Sequence, residues 1–163
     1  PWMRTAGEGR IIQNSSVLGF VALAYRGAYN ASKYALEGLY DTLRLELSGT
    51  NIYPVLIEPG PISSHFRANA LAAYQRNIDT ENSVHRQAYL ATGKRLAGTA
   101  AGVPFTLPPE AVLDKVIKAL QSRKPRPRYY VTFPTHLFGT LKRVLSTRSL
   151  DRILLGVSRN EQK

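Results

Sequence analysis

The stretch GAYNASKYALEGLYDTLRLELSGTNIYPVLIEPG, residues 27–60, decides the fold class of this chain. Apolar side chains recur through its first part at helical spacing, which predicts a helix from about residue 28 to 48 that stops near Gly49. The continuous apolar run at 52–57 predicts a buried strand, and a similar run at 11–15 predicts another strand before the helix. A strand, a helix and a strand with short connections form a right-handed parallel crossover. We therefore expect an α/β fold with a parallel sheet.

The remainder of the chain adds a long excursion and a second crossover within a single domain of 163 residues. Compact connections are usually much shorter than the segment 64–108, so we predict that this segment is a substrate lid with two helices. Proline at the first positions and a glutamate in the first turn predict that a further helix starts at 108–110. The last elements expected are a strand at 128–133 and C-terminal helices at 134–157.

The composition excludes several classes of protein. The chain has no cysteine, which rules out a disulfide framework and a thiolate metal site. Its three histidines, His65, His85 and His136, lack the spacing of a zinc site, so we expect no metal. No apolar run reaches the length of about 18 residues that a membrane span needs. We therefore expect a cytoplasmic protein.

Three polar side chains are spaced to converge on one substrate oxygen. Tyr29 and Lys33 are four residues apart on the predicted helix, which places the phenol and the ammonium on one face, roughly 5 to 6 Å apart at Cβ. The cation favours the phenolate, so Tyr29 becomes a usable proton donor and acceptor. Ser16, at the end of the preceding strand, offers a hydroxyl to the same oxygen. Each residue alone has an ordinary structural explanation, but their order along one crossover favours a catalytic set.

The motifs N-S-S-V-L-G at 14–19, Y-N-A-S-K at 29–33 and I-E-P-G-P-I-S-S at 57–64 resemble those of the short-chain dehydrogenases/reductases. The resemblance implies the C-terminal portion of a doubly wound Rossmann-type sheet, with three strands here and a helical substrate lid. It also implies an oxidoreductase that interconverts a carbonyl and an alcohol with NAD(P). In that family the serine positions the substrate oxygen, the tyrosine is the general acid/base and the lysine binds the nicotinamide ribose, which assigns Ser16, Tyr29 and Lys33.

The same resemblance implies a cofactor loop after the second strand. Its residues here are Pro59, Gly60, Ile62 and Ser64, where Ser64 stands at a position that is usually threonine in the family. The proline and glycine let the chain pass close to the nicotinamide, and backbone groups with a hydroxyl hold its carboxamide. Similarity to the hydroxysteroid, retinol and broad-range aldehyde reductase branch favours NADP, with NAD as the alternative.

A hydrophobic substrate suits the predicted pocket better than a sugar. Apolar and aromatic side chains occur in the loop after Ser16 and in the lid, and from them we select Leu18, Tyr25 and Phe66 together with Ser16 as substrate-binding residues. Arginines in the lid leave open a substrate with a carboxylate. An apolar aldehyde, ketone or alcohol is therefore the expected small-molecule substrate.

Several features of the family have no counterpart in the sequence: the glycine-rich phosphate turn, the Asn-Asn-Ala-Gly strand and the catalytic asparagine. We therefore expect this chain to be the C-terminal part of a longer enzyme and to be inactive by itself. The strand at 11–15 would then lack an upstream neighbour, so we expect the isolated chain to be poorly soluble or partly unfolded.

The charge and two alternative functions complete the expectations. A net charge of +11 with a pI near 10.2 is compatible with a weak association of the C-terminal helices with a membrane surface. Nucleic acid is not expected, because no stacking aromatics alternate with the basic groups. The alternatives to an enzyme are a non-catalytic remnant that serves as an interaction module and a basic peripheral membrane protein. The family resemblance also implies a homo-oligomer.

Overall fold

A computed structural model describes residues 1–98 and 103–160 of the chain. Seven α-helices, three strands and one short 3-10 helix account for the regular structure of these residues. In chain order they are α1 Trp2–Ala6, β1 Gly9–Asn14, the 3-10 helix Val17–Gly19, α2 Gly27–Glu46, β2 Ile52–Glu58, α3 Phe66–Asn77, α4 Arg86–Ala97, α5 Glu110–Gln121, β3 Arg128–Tyr130, α6 Phe133–Val144 and α7 Thr147–Asn160.

The three strands form one parallel sheet in the order β1-β2-β3. β1 pairs with β2 from Gly9 opposite Ile52 to Asn14 opposite Ile57, and the end of β2 pairs with β3. Parallel strands bring their carboxyl ends to one edge of a sheet, which is where open α/β sheets bind ligands. The predicted α/β fold with a parallel sheet is confirmed.

Helices cover both faces of β2. Val55 and Ile57 pack with Ala119 of α5 in the main apolar cluster, whereas the carboxyl group of Glu58 meets the side chain of Glu37 on α2. Because alternate residues of a strand point to opposite faces, α5 and α2 lie on opposite sides of the sheet. A second apolar cluster joins the 3-10 helix to α7 through Leu18, Val21, Leu150 and Leu154.

The third strand is shorter than the sequence predicts. The apolar pattern predicts a strand at 128–133, but β3 ends at Tyr130 and α6 already begins at Phe133. Pro134 lies in the first turn of α6, where its missing N–H costs no hydrogen bond, so the proline starts a helix and does not extend the strand. The helices predicted at 134–157 correspond to α6 and α7.

The predicted lid segment leaves the sheet and returns to the same place. Ile62 and Leu107 form an isolated parallel bridge, and the N–H of Leu107 donates to the carbonyl of Pro61 at 3.2 Å. Between them α3 and α4 pack together, with the Tyr74 hydroxyl donating to the carbonyl of Tyr89 at 2.9 Å. Within the described residues, no helix combines the length and apolar character needed to cross a membrane.

Candidate active site

The first predicted catalytic residue, Ser16, lies just beyond the end of β1 and is buried. Backbone hydrogen bonds on both sides fix it to the end of β2, because Ser15 N–H donates to Ile57 at 2.7 Å and Val17 N–H donates to Pro59 at 2.9 Å. Its Oγ accepts a hydrogen bond from Leu18 N–H at 3.1 Å and caps the 3-10 helix. Since a serine hydroxyl is also a donor, the O–H of Ser16 is still able to donate to a substrate oxygen.

Tyr29 and Lys33 meet on one face of α2, as their spacing predicts. The ammonium of Lys33 lies 5.8 Å from the centroid of the Tyr29 ring, within the range of a cation–π contact. The same ammonium donates to the backbone carbonyl of Asn14 at 3.0 Å, which holds it at the carboxyl end of β1, two residues before Ser16. The structure therefore brings α2 and the end of β1 together through Lys33.

The predicted cofactor loop follows β2, and its residues have different surroundings. A side chain at Gly60 would collide with Thr132, because an added Cβ would lie 2.2 Å from the Thr132 Oγ1. Gly60 is thus required by packing against the start of α6, a requirement that no local sequence pattern indicates. Ile62 packs against the main apolar cluster. Ser64 is exposed and its Oγ accepts from Phe66 N–H at 3.3 Å at the start of α3.

Two of the predicted substrate-binding residues connect the site to the lid segment. The ring of Phe66 contacts the Tyr29 ring edge-on, with centroids 5.6 Å apart. Tyr25 has a left-handed backbone, with φ of 60°, and its ring lies 5.6 Å from His85 and 6.1 Å from Tyr89 on the other side of the lid. Phe66 therefore contacts α2 from within the segment 64–108, and Tyr25 contacts that segment from the residues just before α2.

The remaining substrate-binding candidate, Leu18, has a different position. Its side chain is buried in the second apolar cluster, against Leu150 and Leu154 of α7. The apolar character that made it a candidate from sequence is explained by this packing. The structure does not support a substrate contact for the Leu18 side chain.

Next to these residues lies a group of partly buried charged side chains that the sequence analysis did not single out. Arg128 of β3 donates to Glu37 at 3.2 Å and to Asp41 at 2.9 Å, and its Nε is 3.1 Å from Glu58 Oε1. Ser15 donates to the other oxygen of Glu37 at 2.5 Å. Glu58 is fully buried, and neither of its oxygens accepts a hydrogen bond from the described residues. This network, Ser15–Glu37–Asp41–Glu58–Arg128, joins β2, β3 and the residue that follows β1 to α2; Asp41 and Arg128 are its partly exposed members.

Burial and hydrogen bonding shift the pKa values of these groups. Burial raises the pKa of Glu58 to about 9, with a further contribution from the adjacent Glu37 and partial opposition from Arg128. Burial lowers the pKa of Lys33, and the charge of Glu37 opposes that decrease. The hydrogen bond from Arg128 lowers the pKa of Asp41. The raised pKa favours the protonated form of the Glu58 carboxyl group.

A signal for the network was present in the sequence. Glu58 interrupts the end of an otherwise apolar buried strand, where a charged residue is rarely placed without a partner. Glu37 lies one helical turn beyond Lys33, on the same face of α2. Their partner Arg128 is 91 positions from Glu37, so no local pattern could identify it.

The proteins to which the chain is similar are short-chain dehydrogenases and other oxidoreductases. A family model described as short chain dehydrogenase matches residues 1–75. The chain is 46% identical over 156 residues to the uncharacterized oxidoreductase YbbO of Escherichia coli K12, covering 96% of this chain and 52% of that protein. It is 32% identical to the NADPH-dependent 3-dehydrocapnine reductase of Ornithobacterium rhinotracheale, covering 90% of this chain and 50% of the relative. The chain thus spans about half the length of these relatives.

A human protein and a solved structure extend the comparison. The chain is 34% identical to human 17-beta-hydroxysteroid dehydrogenase type 1, over 81% of this chain and 40% of the relative. A crystal structure of a short chain dehydrogenase/reductase from Burkholderia phymatum in complex with NAD superposes with a TM-score of 0.63 at 22% identity, covering 87% of this chain and 48% of that chain. The structural likeness is one of fold.

Proposed function

Since the chain belongs to the short-chain dehydrogenase/reductase family, we propose that the full-length protein containing it interconverts an aldehyde or ketone and the corresponding alcohol, using NAD(P). One observation carries this proposal: Lys33 is held between the Tyr29 ring and the end of β1, so phenol, ammonium and the strand-end Ser16 share one region. A phenol held beside an ammonium is suited to proton transfer to a carbonyl oxygen.

Each residue has a distinct part in the reaction. In the reducing direction Tyr29 gives its proton to the carbonyl oxygen as negative charge develops on it, and in the oxidising direction it takes a proton from the alcohol. Ser16 donates a hydrogen bond to the same oxygen, which its capping role permits because there its Oγ acts as an acceptor. Lys33 stabilises the charge that forms on the Tyr29 oxygen when the proton leaves.

The donor groups at the strand ends fit the ribose of a nicotinamide nucleotide. A phenol and an ammonium side by side match two neighbouring hydroxyls, so Tyr29 and Lys33 would hold the ribose, and the loop with Pro59 and Gly60 would lie beside the nicotinamide. When bound, the nicotinamide supplies or accepts the hydride. We favour NADP, because a relative that aligns with most of the chain is named as NADPH-dependent. NAD remains the alternative, since the superposed structure contains NAD.

The substrate side of the site is aromatic. Phe66 of α3 packs on Tyr29, and Tyr25, four residues before Tyr29 in the chain, contacts Tyr89 of α4. Aromatic walls favour apolar ligands with few polar groups. We therefore propose a hydrophobic aldehyde or ketone as the substrate and residues 64–108 as the lid over it.

The test is a Tyr29→Phe exchange in the full-length protein. Consumption of NADPH and of NADH is followed with a panel of apolar aldehydes and ketones. We expect the wild type to turn over one of them and Tyr29→Phe to lose at least about 100-fold in kcat, because proton transfer contributes on that order. The matched control is Tyr34→Phe, which removes another phenol of α2 and is expected to leave kcat unchanged.

Two results would contradict the proposal. The first is a folded Tyr29→Phe enzyme that reduces the substrate at the rate of the wild type. The second is a wild-type protein that binds neither nicotinamide nucleotide, measured by quenching of protein fluorescence.

A further inference from the structure

We propose that Glu37 is a positioning residue: Glu58 holds the single proton of the buried carboxyl pair, and the carboxylate charge this leaves on Glu37 keeps Lys33 protonated. The inference deepens the proposed function and rests on it through the part given to Lys33. It concerns residues that touch neither substrate nor cofactor.

The hydrogen bonds decide which of the two carboxyl groups is charged. Glu37 accepts from Ser15 on one oxygen and from Arg128 on the other, at 2.5 Å and 3.2 Å. Donors directed at both oxygens stabilise a carboxylate. Glu58 is fully buried, and although Arg128 Nε lies 3.1 Å from Glu58 Oε1, its N–H is directed at Glu37 and makes no hydrogen bond to Glu58. A buried carboxyl group without donors is stable only in its neutral form, in which it donates its own proton.

Glu37 is the carboxylate next to Lys33. The two residues are one helical turn apart on the same face of α2, and burial disfavours the charged form of Lys33 while the charge of Glu37 favours it. A neutral Glu37 would remove that support. Because Glu58 holds the proton, Glu37 keeps its negative charge, and that charge acts on Lys33.

Other charged and titratable groups face Glu37 from each element packed around it. They are Asp41 on its own helix, Arg128 and Tyr130 on β3, and Lys142 on α6. Lys142 donates to the carbonyl of Phe20 and lies 4.9 Å from the Tyr34 ring centroid, so it is held elsewhere and does not pair directly with Glu37. Arg128 also pairs with Asp41, so its positive charge does not fully neutralise Glu37. The remaining negative charge of Glu37 acts on Lys33.

The same network occupies the space beside the strand ends. A Cβ at Gly19 would lie 2.9 Å from Glu37 Cγ and 2.9 Å from Ser15 Oγ. Ser15 directly precedes Ser16, and Glu58 directly precedes Pro59. The carboxyl pair is therefore next to the backbone that carries Ser16 and to the backbone that begins the predicted cofactor loop at Pro59.

The experiment measures the titration of Lys33 directly in the full-length protein. Reactivity of the Lys33 amine toward acetic anhydride is followed by mass spectrometry across the alkaline pH range in wild type, Glu37→Gln, Glu58→Gln and the control Glu46→Gln. Glu46 is an exposed glutamate of α2. Two unit charges about 6 Å apart in a partly solvated site interact strongly enough to move a midpoint by about one pH unit. We expect that downward shift in Glu37→Gln and no shift in Glu58→Gln or Glu46→Gln.

Infrared spectra provide a second measurement that does not depend on Glu37→Gln being folded. A protonated carboxyl band at neutral pH should be present in the wild type and absent in Glu58→Gln. An unchanged Lys33 midpoint in Glu37→Gln overturns the proposal, as does a carboxyl band that survives Glu58→Gln. Neither measurement needs turnover, so a wild type that binds neither nicotinamide nucleotide but gives the expected spectra would refute the hydride-transfer function and leave the carboxyl network standing.

Discussion

Replacement of Glu58 by glutamine should change how the stability of the protein depends on pH. The glutamine side chain retains the shape of a protonated glutamate and keeps an N–H donor for Glu37, but it does not titrate. In the wild type the pKa of Glu58 is raised from 4.5 to about 9 by burial and by the neighbouring Glu37, against the effect of Arg128. The folded state therefore holds one proton that the unfolded state releases over most of this interval.

The sign and the size of the effect follow from that difference. A raised folded-state pKa contributes stability that is complete below the unfolded value and is lost as the pH rises through the folded value. Between the unfolded and folded pKa values of Glu58, the free energy of unfolding of the wild type falls by about 1.4 kcal/mol for each pH unit. The variant does not lose this contribution, because glutamine does not titrate. Between about pH 5.5 and about pH 7.5, the free energy of unfolding of Glu58→Gln should therefore gain about 3 kcal/mol on that of the wild type.

The assay is equilibrium urea unfolding of the full-length protein at several pH values across that window, with Glu46→Gln as the exposed control. The free energy of unfolding of Glu46→Gln should change with pH in the same way as that of the wild type. Curves of Glu58→Gln and wild type that stay parallel would mean that Glu58 is ionised in the folded protein, and the assignment of the proton would be refuted.

Two further predictions concern packing and substrate contact. Gly60→Ala should destabilise the protein by about 1 to 3 kcal/mol in urea unfolding, because the new Cβ would collide with Thr132 Oγ1. The control Gly38→Ala, whose new Cβ would have nothing within 4 Å, should be neutral or stabilising. Equal effects of the two substitutions on the free energy of unfolding would contradict the packing argument. Phe66→Ala should raise KM for apolar aldehydes by about 10-fold or more through lost apolar area, measured in steady-state assays against Val84→Ala, which is 95% exposed. An unchanged KM in Phe66→Ala would remove Phe66 from the substrate site.

Much of the fold could be predicted because its signals are local. The alternation of a buried apolar run, a long helix and a second apolar run predicted β1, α2 and β2 within a few residues of their observed ends. The spacing of Tyr29 and Lys33 likewise depends only on helical geometry, and the observed contact between them agrees with it. These features need no knowledge of the rest of the chain.

What could not be predicted depends on contacts between distant segments. Leu18 resembles a substrate residue from sequence alone, because the packing of α7 against it cannot be read from the residues around it. The need for glycine at Gly60 comes from Thr132, more than seventy positions later in the chain. Glu58 is conspicuous at the end of an apolar strand, but the arginine that pairs with it, Arg128, lies on another strand and has no local signature.

The bridge between Ile62 and Leu107 holds the two ends of the intervening segment together, so the segment can be replaced as a unit. Because its two ends are hydrogen-bonded to each other, a change in the length of the segment does not alter the distance it must close. Grafting a different segment between these anchor points would change the surface beside Tyr29, which Phe66 contacts, and leave the register of β2 and β3 intact. The segment can therefore vary in sequence while Ser16, Tyr29 and Lys33, which all lie outside it, stay in place.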